Sequence, residues 1–192
     1  MNTHRDTHRD THRTTDQLDL GLDHVRAAPS DHGTLELIVR RPAVDAREVL
    51  DSGELDLAEG LVGDTWNQRP SRRSADGGPH PDMQLNIINA RAIALICPDE
   101  SQRPLAGDQL HVDLDLSETN LPAGTRLAIG DAVIEITDQP HTGCAKFAAR
   151  FGPDALQFVN VGAGKELRMR GINAKVVQGG EIRRGDAITK LA

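Results

Sequence analysis

Short apolar segments separated by glycine-containing turns recur along most of this chain, and they limit the folds that it can adopt. In residues 109–116, QLHVDLDL, every second residue is apolar, which is typical of a strand with one buried face. We expect His111 and Asp113 to lie on the solvent face of this strand. Strands are predicted at residues 34–40, 84–88, 109–116, 125–137 (two strands around a Gly-Asp turn), 167–170, 172–178 and 187–190. Many short strands punctuated by glycine predict a mainly β fold, a closed or partly closed β-barrel.

A few short peripheral helices are predicted outside the barrel. Asn89 is a good N-cap for a helix at 89–96, and Gly152 followed by Pro153 ends a helix at 145–151. Further short helices are predicted at residues 46–50 and 153–158, and a glycine-bearing loop is predicted at 160–165.

The composition limits both the core and the binding partners. Hydrophobic residues make up 38% of the chain and aromatic residues only 2%, so the core must consist of Leu, Ile, Val and Ala. The formal net charge of −7 argues against a nucleic-acid-binding or membrane-surface protein. The sequence contains no apolar run of about 18 residues, no apolar N-terminal signal segment and too few cysteines for a disulfide framework. We therefore expect a cytoplasmic protein without nucleic-acid or membrane partners.

Residues 1–26 begin with the tandem repeat THRDTHRDTHR and carry little apolar surface. Alternating Arg and Asp residues cannot bury enough surface to offset the entropy that ordering costs. We predict a disordered low-complexity tail at 1–26, which folding does not need, and a folded domain at 33–192. His4, His8 and His12 would line up on a helix as metal ligands, but nothing else in the repeat would hold such a helix together.

The segment 138–150, DQPHTGCAKFAAR, contains the best candidate nucleophile, Cys144. If Thr142 is the N-cap of the following helix, Cys144 lies in the first turn, where free N–H groups and the helix dipole favour a thiolate. Lys146 and Arg150 add positive charge nearby, and a thiolate in such surroundings is a nucleophile or a soft-metal ligand. The alternative is an inert cysteine on the buried face of the helix, because free cysteines are commonly buried.

Several motifs, in their order along the chain, resemble the MOSC family, which is named after the C-terminal domain of the molybdenum cofactor sulfurase. GLVGD at 60–64 looks like the family's N-terminal glycine–aspartate turn, and LAGDQLHVDLDLSETNL at 105–121 looks like its central strand with the acidic segment that follows. Two further motifs of the resemblance lie on either side of the cysteine. The first is RLAIGDAVIEIT at 126–137, before the cysteine, and the second is LRMRGINAKVVQGGEIRRGDAI at 167–188, after the short helix. The resemblance runs from about residue 33 to residue 191, and it implies the family's β-barrel, which is similar to the pyruvate-kinase barrel.

Residues 68–81, QRPSRRSADGGPHP, are predicted to form a loop. This segment departs from many MOSC relatives, in which a histidine-bearing segment follows the glycine–aspartate turn. It carries Arg69, Arg72 and Arg73, with His80 near its end. One interpretation is a solvated loop, and the other is an anion-binding loop or a lid over the site, because arginine suits phosphate.

The resemblance implies that Cys144 is the catalytic residue and a metal ligand, in a site for the molybdenum cofactor (molybdopterin). MOSC domains bind this cofactor through the cysteine or accept sulfur as a cysteine persulfide, and both roles need a thiolate. The cofactor also carries a phosphate, which needs cationic groups near the metal ligand. The alternative is that Arg168 and Arg170 lie on the solvent-exposed face of a strand and bind no ligand. The candidate cofactor-binding residues are His141, Thr142, Lys146, Arg168, Arg170 and Arg91.

The family's link to pyridoxal phosphate comes through partner or fused desulfurase domains. This sequence has no evident Schiff-base lysine motif, so we expect a stand-alone MOSC protein whose partner is a cysteine desulfurase or a redox protein. Three hypotheses remain open: a molybdenum-cofactor-dependent oxidoreductase, a sulfurtransferase that carries persulfide sulfur, and a non-catalytic barrel that binds small anions and has an inert cysteine. Cys97, which precedes Asp99 and Glu100, is expected to be a packed residue rather than the reactive thiol.

Overall fold

The computed structural model describes residues 12–71 and 73–191, which form a β-barrel with short helices around it. The strands are β1 (Gly33–Arg40), β2 (Glu48–Leu50), β3 (Ser52–Asp56), β4 (Gly60–Leu61), β5 (Leu85–Asn89), β6 (Leu110–Asp113), β7 (Arg126–Ile129), β8 (Ala132–Ile136), β9 (Ile172–Gln178), β10 (Gly180–Arg183) and β11 (Ala187–Lys190). The helices are α1 (Thr15–Asp19), α2 (Leu22–Arg26), α3 (Ala90–Ile96), α4 (Ala145–Phe151), α5 (Pro153–Asn160) and α6 (Gly162–Glu166). Short 3-10 helices lie at Trp66–Gln68, Pro81–Met83 and Glu100–Ala106.

Seven strands close the barrel in the order β11, β7, β8, β9, β5, β6 and β1. The barrel closes where β1 pairs with β11, at Gly33–Ile188 and Thr34–Ala187. β5 and β6 are parallel, and the other neighbouring strands in the barrel are antiparallel. β2 extends the sheet beside β1, whereas β3, β4 and β10 form a separate three-stranded sheet. The prediction of a mainly β fold with a closed barrel is confirmed.

Aliphatic side chains fill the barrel, as the low aromatic content predicted. Leu35, Leu110 and Ile134 are fully buried there, and the whole cluster consists of Leu, Ile, Val and Ala. A second apolar cluster lies outside the barrel wall and contains the phenylalanines of α4 and α5. The barrel wall therefore has one apolar core inside it and another between it and the helices.

The hairpin and the N-cap that the sequence indicated are both present. β7 and β8 pair antiparallel around Gly130, whose φ of +54° and close approach to the Glu181 carbonyl leave no room for a Cβ atom. At the start of α3, the Asn89 side chain accepts hydrogen bonds from the backbone N–H groups of Arg91 and Ala92, at 2.8 and 3.0 Å. Both features fix the chain direction next to strands that form the barrel.

The described part of the N-terminal segment is ordered, so the prediction of a disordered tail is wrong for residues 12–26. α1 and α2 bury Leu18 and Val25 in the outer apolar cluster. The N–H and hydroxyl groups of Thr15 both donate to the Asp154 carboxylate, at 3.0 and 3.2 Å. Thr15 and Asp154 are far apart in the sequence, so the local composition of residues 12–26 does not reveal the contacts that order this segment. His4, His8 and Arg72 lie outside the described residues, so the hypotheses about them stay open.

Three local predictions were wrong. Residues 46–50 do not form a helix, because their end forms β2 and pairs with β1. Residues 160–165 are mostly helical, since α6 starts at Gly162. Residues 167–170 form a turn instead of a strand: Arg168 has a φ of +48°, and its carbonyl accepts a hydrogen bond from the Gly171 N–H at 2.7 Å. Tertiary pairing and turn geometry override the local pattern in each case.

None of the helices in residues 12–71 and 73–191 has the length and apolar character needed to cross a membrane.

Candidate functional site

Cys144 lies at the surface, at the position where α4 begins. It is itself the N-cap of α4, with extended backbone angles, so the sequence placed the cap two residues too early, at Thr142. Phe147 and Phe151 anchor the opposite face of this helix in the outer apolar cluster, with ring centroids 4.8 Å apart. The thiol is exposed, whereas the other cysteine, Cys97, is buried. The interpretation of Cys144 as a packed core residue is therefore wrong.

The loop that leads to Cys144 is fixed at two points. The Asn160 side chain accepts a hydrogen bond from the Gly143 N–H at 3.0 Å and donates one to the Gly143 carbonyl at 3.3 Å. The Nε2 atom of His141 lies 2.7 Å from an oxygen of the buried Asp108 carboxylate. These contacts determine where the exposed thiol is presented.

Cys144 lines a cleft of about 380 Å³ between α4 and the segments that follow β1 and β4. Six basic side chains line this cleft, which we call the cationic cleft: Arg41, Arg47, Arg69, Lys146, Arg150 and Arg170. The protein as a whole carries a net charge of −7, so this concentration of positive charge is local. Such a cleft attracts anions and raises their local concentration at the thiol.

The first glycine–aspartate turn holds one of these arginines. Asp64 has no exposed side-chain surface and accepts two hydrogen bonds from the Arg41 guanidinium, Nε at 2.7 Å and Nη2 at 2.8 Å. The remaining Arg41 nitrogen, Nη1, donates to the side-chain oxygen of Asn86 and to the carbonyl of Gly107. A bidentate pair of this kind fixes the plane and the position of the guanidinium.

The second glycine–aspartate turn holds another arginine. Asp108 is fully buried, and its two oxygens lie 2.9 and 2.8 Å from Nη1 of Arg170. The guanidinium of Arg170 also stacks over Phe147, 5.0 Å from the ring centroid. Although burial opposes ionisation, Arg170 and His141 hold the pKa of Asp108 well below its usual range. Burial, followed by repulsion from Arg170, lowers the pKa of His141.

Two other arginines of the cationic cleft make no ion pair among the described residues. Arg47 donates to the carbonyl of Ala46, and its Nε is buried without a partner. Arg69 donates from Nε and Nη2 to the hydroxyl of Thr65, at 3.1 and 2.8 Å. Desolvation is the main cause that lowers the pKa of both groups, and repulsion from a neighbouring arginine is the next, from Arg150 for Arg47 and from Arg41 for Arg69. The fold thus places like charges together, which an anion would offset.

The residues predicted for cofactor binding fall into three places. Lys146 and Arg170 lie with Cys144 in the cationic cleft. His141, Thr142 and Arg168 line a second cavity of about 310 Å³, which Arg170 also lines. Arg91 is not near the thiol: it lies on α3, beside a separate cavity, and forms a bidentate pair with Asp113 at 2.6 and 2.9 Å.

Sequence reasoning missed two arginines of the cleft, Arg41 and Arg47. The signal that could have found Arg41 was present, because its carboxylate partner lies in the GLVGD motif.

The arginine-bearing loop at 68–81 does approach the site. Arg69 lines the cleft, and Nη1 of Arg73 lies 3.4 Å from the carbonyl of Pro140, in the segment before the thiol.

Among the residues that the structure describes, no group of three or more His, Cys, Asp or Glu side chains is arranged to hold a metal ion. The cationic cleft instead combines one exposed thiol with many cations. This arrangement can bind an anionic molecule and bring it against a sulfur nucleophile or ligand.

Comparison with known proteins identifies the architecture. The family model described as "MOSC domain" matches residues 91–189. The YuaD protein from Bacillus subtilis is similar in structure, with a TM-score of 0.58 and 18% identity, over 82% of this chain and 94% of that one. YiiM from Escherichia coli has a TM-score of 0.55 and 20% identity, over 83% of this chain and 70% of that one. YiiM from Geobacillus stearothermophilus has a TM-score of 0.54 and 14% identity, over 83% and 75%. No curated protein matches the sequence.

Proposed function

The chain belongs to the MOSC domain family, and on that premise we propose that it binds the molybdenum cofactor in the cationic cleft, with Cys144 as the thiolate ligand to the metal. One observation carries this proposal: the exposed thiol opens onto a cleft lined by six basic side chains. The family is linked to molybdenum-cofactor sulfurase-like functions, and the cleft offers the chemistry that such a cofactor needs.

The side chains of the cleft fit an anionic metal cofactor in two respects. A cysteine thiolate is a strong soft ligand, and a single thiolate suits a metal whose other ligands belong to the cofactor itself. A phosphate group needs cations with several donors, and Lys146 and Arg150, both on α4, supply them close to the thiol in sequence. When bound, the cofactor supplies redox and sulfur chemistry at its metal.

The protein's own contribution is to hold the thiol and the cations in place before the ligand arrives. Asn160 and the His141–Asp108 contact fix the loop before Cys144, and Phe147 anchors α4 behind it. Asp108 also fixes Arg170. A cleft that is positioned in advance loses less conformational entropy when it binds its ligand.

A second candidate function is sulfur carriage, in which Cys144 accepts sulfane sulfur from a cysteine desulfurase as a persulfide and passes it to an acceptor. The exposure of the thiol favours this role, because transfer between proteins needs an accessible sulfur. A third candidate is an anion-binding barrel in which the cysteine takes no part.

Metal and pterin analysis separates these candidates. The protein is purified from a host that makes the molybdenum cofactor, as wild type, Cys144→Ser and Cys97→Ser. Cofactor binding predicts molybdenum and pterin in the wild type and in Cys97→Ser, and loss of molybdenum in Cys144→Ser. Sulfur carriage predicts instead a mass increase of one sulfur atom on Cys144 after incubation with a desulfurase. If Cys144→Ser holds as much molybdenum as the wild type, and the wild type gains no sulfur mass after incubation with the desulfurase, the cysteine takes no part and the proposal fails.

A further inference from the structure

A cavity of about 400 Å³ lies on the outside of the barrel wall, between β1, β6, α3 and the turn that joins β10 to β11. We call it the outer cavity. Among the residues that the structure describes, none lines both the outer cavity and the cationic cleft. We propose that the outer cavity binds a free α-amino acid whose side chain ends in an uncharged hydrogen-bonding group. This inference goes beyond the proposed function and does not depend on it.

A β-bulge in β1 directs a carboxylate into the outer cavity. The pairing of β1 with β6 shifts its register between Leu35 and Leu37, so Glu36 is an extra residue in β1. Leu35 is buried in the core inside the barrel, and the bulge leaves both Glu36 and Leu37 on the outer face, where they line the cavity. The Glu36 side chain is exposed and forms no ion pair with any other described residue, so its charge is available to a ligand.

Arg184 places the opposite charge in the same cavity. Its Nε donates to the backbone carbonyl of Glu36 at 3.0 Å, which fixes the guanidinium beside the bulge. Its carboxylate partner is the fully exposed Asp51, 3.8 Å from Nη1, and an exposed pair of this kind is weak. The side chains of Glu36 and Arg184, which we call the open charge pair, do not pair with each other although both line the cavity. An α-amino acid could bind both, through its ammonium and its carboxylate.

The other charges around the outer cavity are largely compensated within the protein. Arg91 and Asp113 form the bidentate pair at 2.6 and 2.9 Å. Arg103 lies 3.4 Å from the carboxylate of Glu100 and donates to two backbone carbonyls. The charges left for a ligand are therefore those of the open charge pair, one of each sign. This balance favours a zwitterion over a simple anion or a simple cation.

The remaining lining is apolar except for one buried histidine. Ala90, Ile93 and Ala94 lie on one face of α3 and, with Leu37, offer a surface for the carbon atoms of a small side chain. His111 is 2% exposed, and its Nε2 is buried without a hydrogen-bond partner in the described part of the chain. Burial lowers the pKa of His111 to about 4, so the ring is neutral near pH 7. A buried polar atom without a partner is unfavourable, and an uncharged amide on the ligand would satisfy it.

Titration of ¹⁵N-labelled protein with L-glutamine, followed by NMR, tests the inference, because glutamine carries all three groups. Three related compounds each lack one of them. 4-Aminobutanamide lacks the carboxylate, glutaramate lacks the amine, and L-leucine has a side chain of similar size without the amide. The variant Glu36→Gln removes the carboxylate of the open charge pair. Glu59→Gln is the matched control, because Glu59 is exposed and lines neither the outer cavity nor the cationic cleft.

We expect L-glutamine to shift the backbone N–H signals of Leu37, Ala94 and His111 and to leave those around Cys144 unchanged. Removing either charged group from the ligand, or changing Glu36 to Gln, should weaken binding at least about ten-fold, because each removes a charge-assisted hydrogen bond. L-Leucine should bind at least about five-fold more weakly than L-glutamine, because it leaves a buried polar atom without a partner. The Glu59→Gln variant should bind L-glutamine as the wild type does.

Four results would each overturn the inference. The first is that L-glutamine shifts no signals at the outer cavity, and the second is that the shifted signals cluster around Cys144, which would place the ligand in the cationic cleft. The third is that Glu36→Gln binds as tightly as Glu59→Gln. The fourth is that L-leucine or either of the two other compounds binds as tightly as L-glutamine. None of these results depends on the molybdenum content of the protein.

Discussion

Replacing Asp64 with Asn should destabilise the protein strongly, because Asp64 is the buried counter-ion of Arg41. Asp64 accepts hydrogen bonds from the Arg41 N–H, Nε and Nη2 and from the Trp66 N–H, at 2.7 to 2.9 Å. The side chains of Arg41 and Asp64 are 5% and 0% exposed, so solvent cannot replace the lost carboxylate. Removing one partner of such a pair typically costs about 3–5 kcal/mol of unfolding free energy. We therefore expect a loss of this size.

Urea denaturation measures this loss, followed by circular dichroism and by the fluorescence of Trp66, the single tryptophan of the chain. Asp23→Asn is the matched control, because Asp23 forms an exposed pair with Arg26, and it should leave the midpoint unchanged. The double variant Arg41→Met, Asp64→Leu should cost less than the sum of its two single variants, since it leaves no buried charge unpaired. The reasoning is refuted if Asp64→Asn unfolds at the same urea concentration as Asp23→Asn, or if the double variant shows no coupling.

Further predictions concern the N-terminal helices, the acid stability and the thiols. Leu18→Ala should lower the unfolding free energy by about 2–5 kcal/mol, as for a fully buried leucine, and an unchanged thermal midpoint would mean that α1 does not support the fold. Burial lowers the pKa of His111 from 6.5 to about 4, so protons favour the unfolded chain, and stability should fall by about 3 kcal/mol as the pH drops from 6.5 to 4. His111→Gln should flatten that pH profile, and an equally steep profile would contradict the assignment. Iodoacetamide should label Cys144 before Cys97, because burial raises the pKa of the Cys97 thiol; the reverse order in peptide mapping would contradict the view of Cys144 as the reactive thiol.

The parts of the fold that the sequence predicted well are those whose signals are local. Strands β9 and β11 and helix α4 have the predicted bounds, because glycines border β9, a Gly-Asp turn precedes β11, and Gly-Pro ends α4. The outward face of β6 was predicted less well. His111 is only 2% exposed, since α3 packs against this strand and covers it. A strand pattern identifies two faces but does not reveal a helix that covers the second one.

The candidate site was predicted only in part, because some of its residues are close together in the sequence and others are far apart. Cys144, Lys146 and Arg150 lie within seven residues, so their proximity followed from the sequence. The pairs that shape the rest of the cleft join residues far apart in the chain: Arg41 lies 23 residues before Asp64, and Asp108 lies 62 residues before Arg170. A glycine–aspartate turn predicts a fixed carboxylate, but only the folded barrel determines which arginine that carboxylate holds.

The most direct test of the central claim is molybdenum X-ray absorption on protein purified with its cofactor. If Cys144 ligates the metal, the spectra of wild type and Cys97→Ser agree and contain a thiolate sulfur contribution in addition to the sulfurs of the cofactor, whereas Cys144→Ser retains no molybdenum signal. Identical sulfur coordination in wild type and Cys144→Ser, or wild-type protein that holds no molybdenum, would contradict the account.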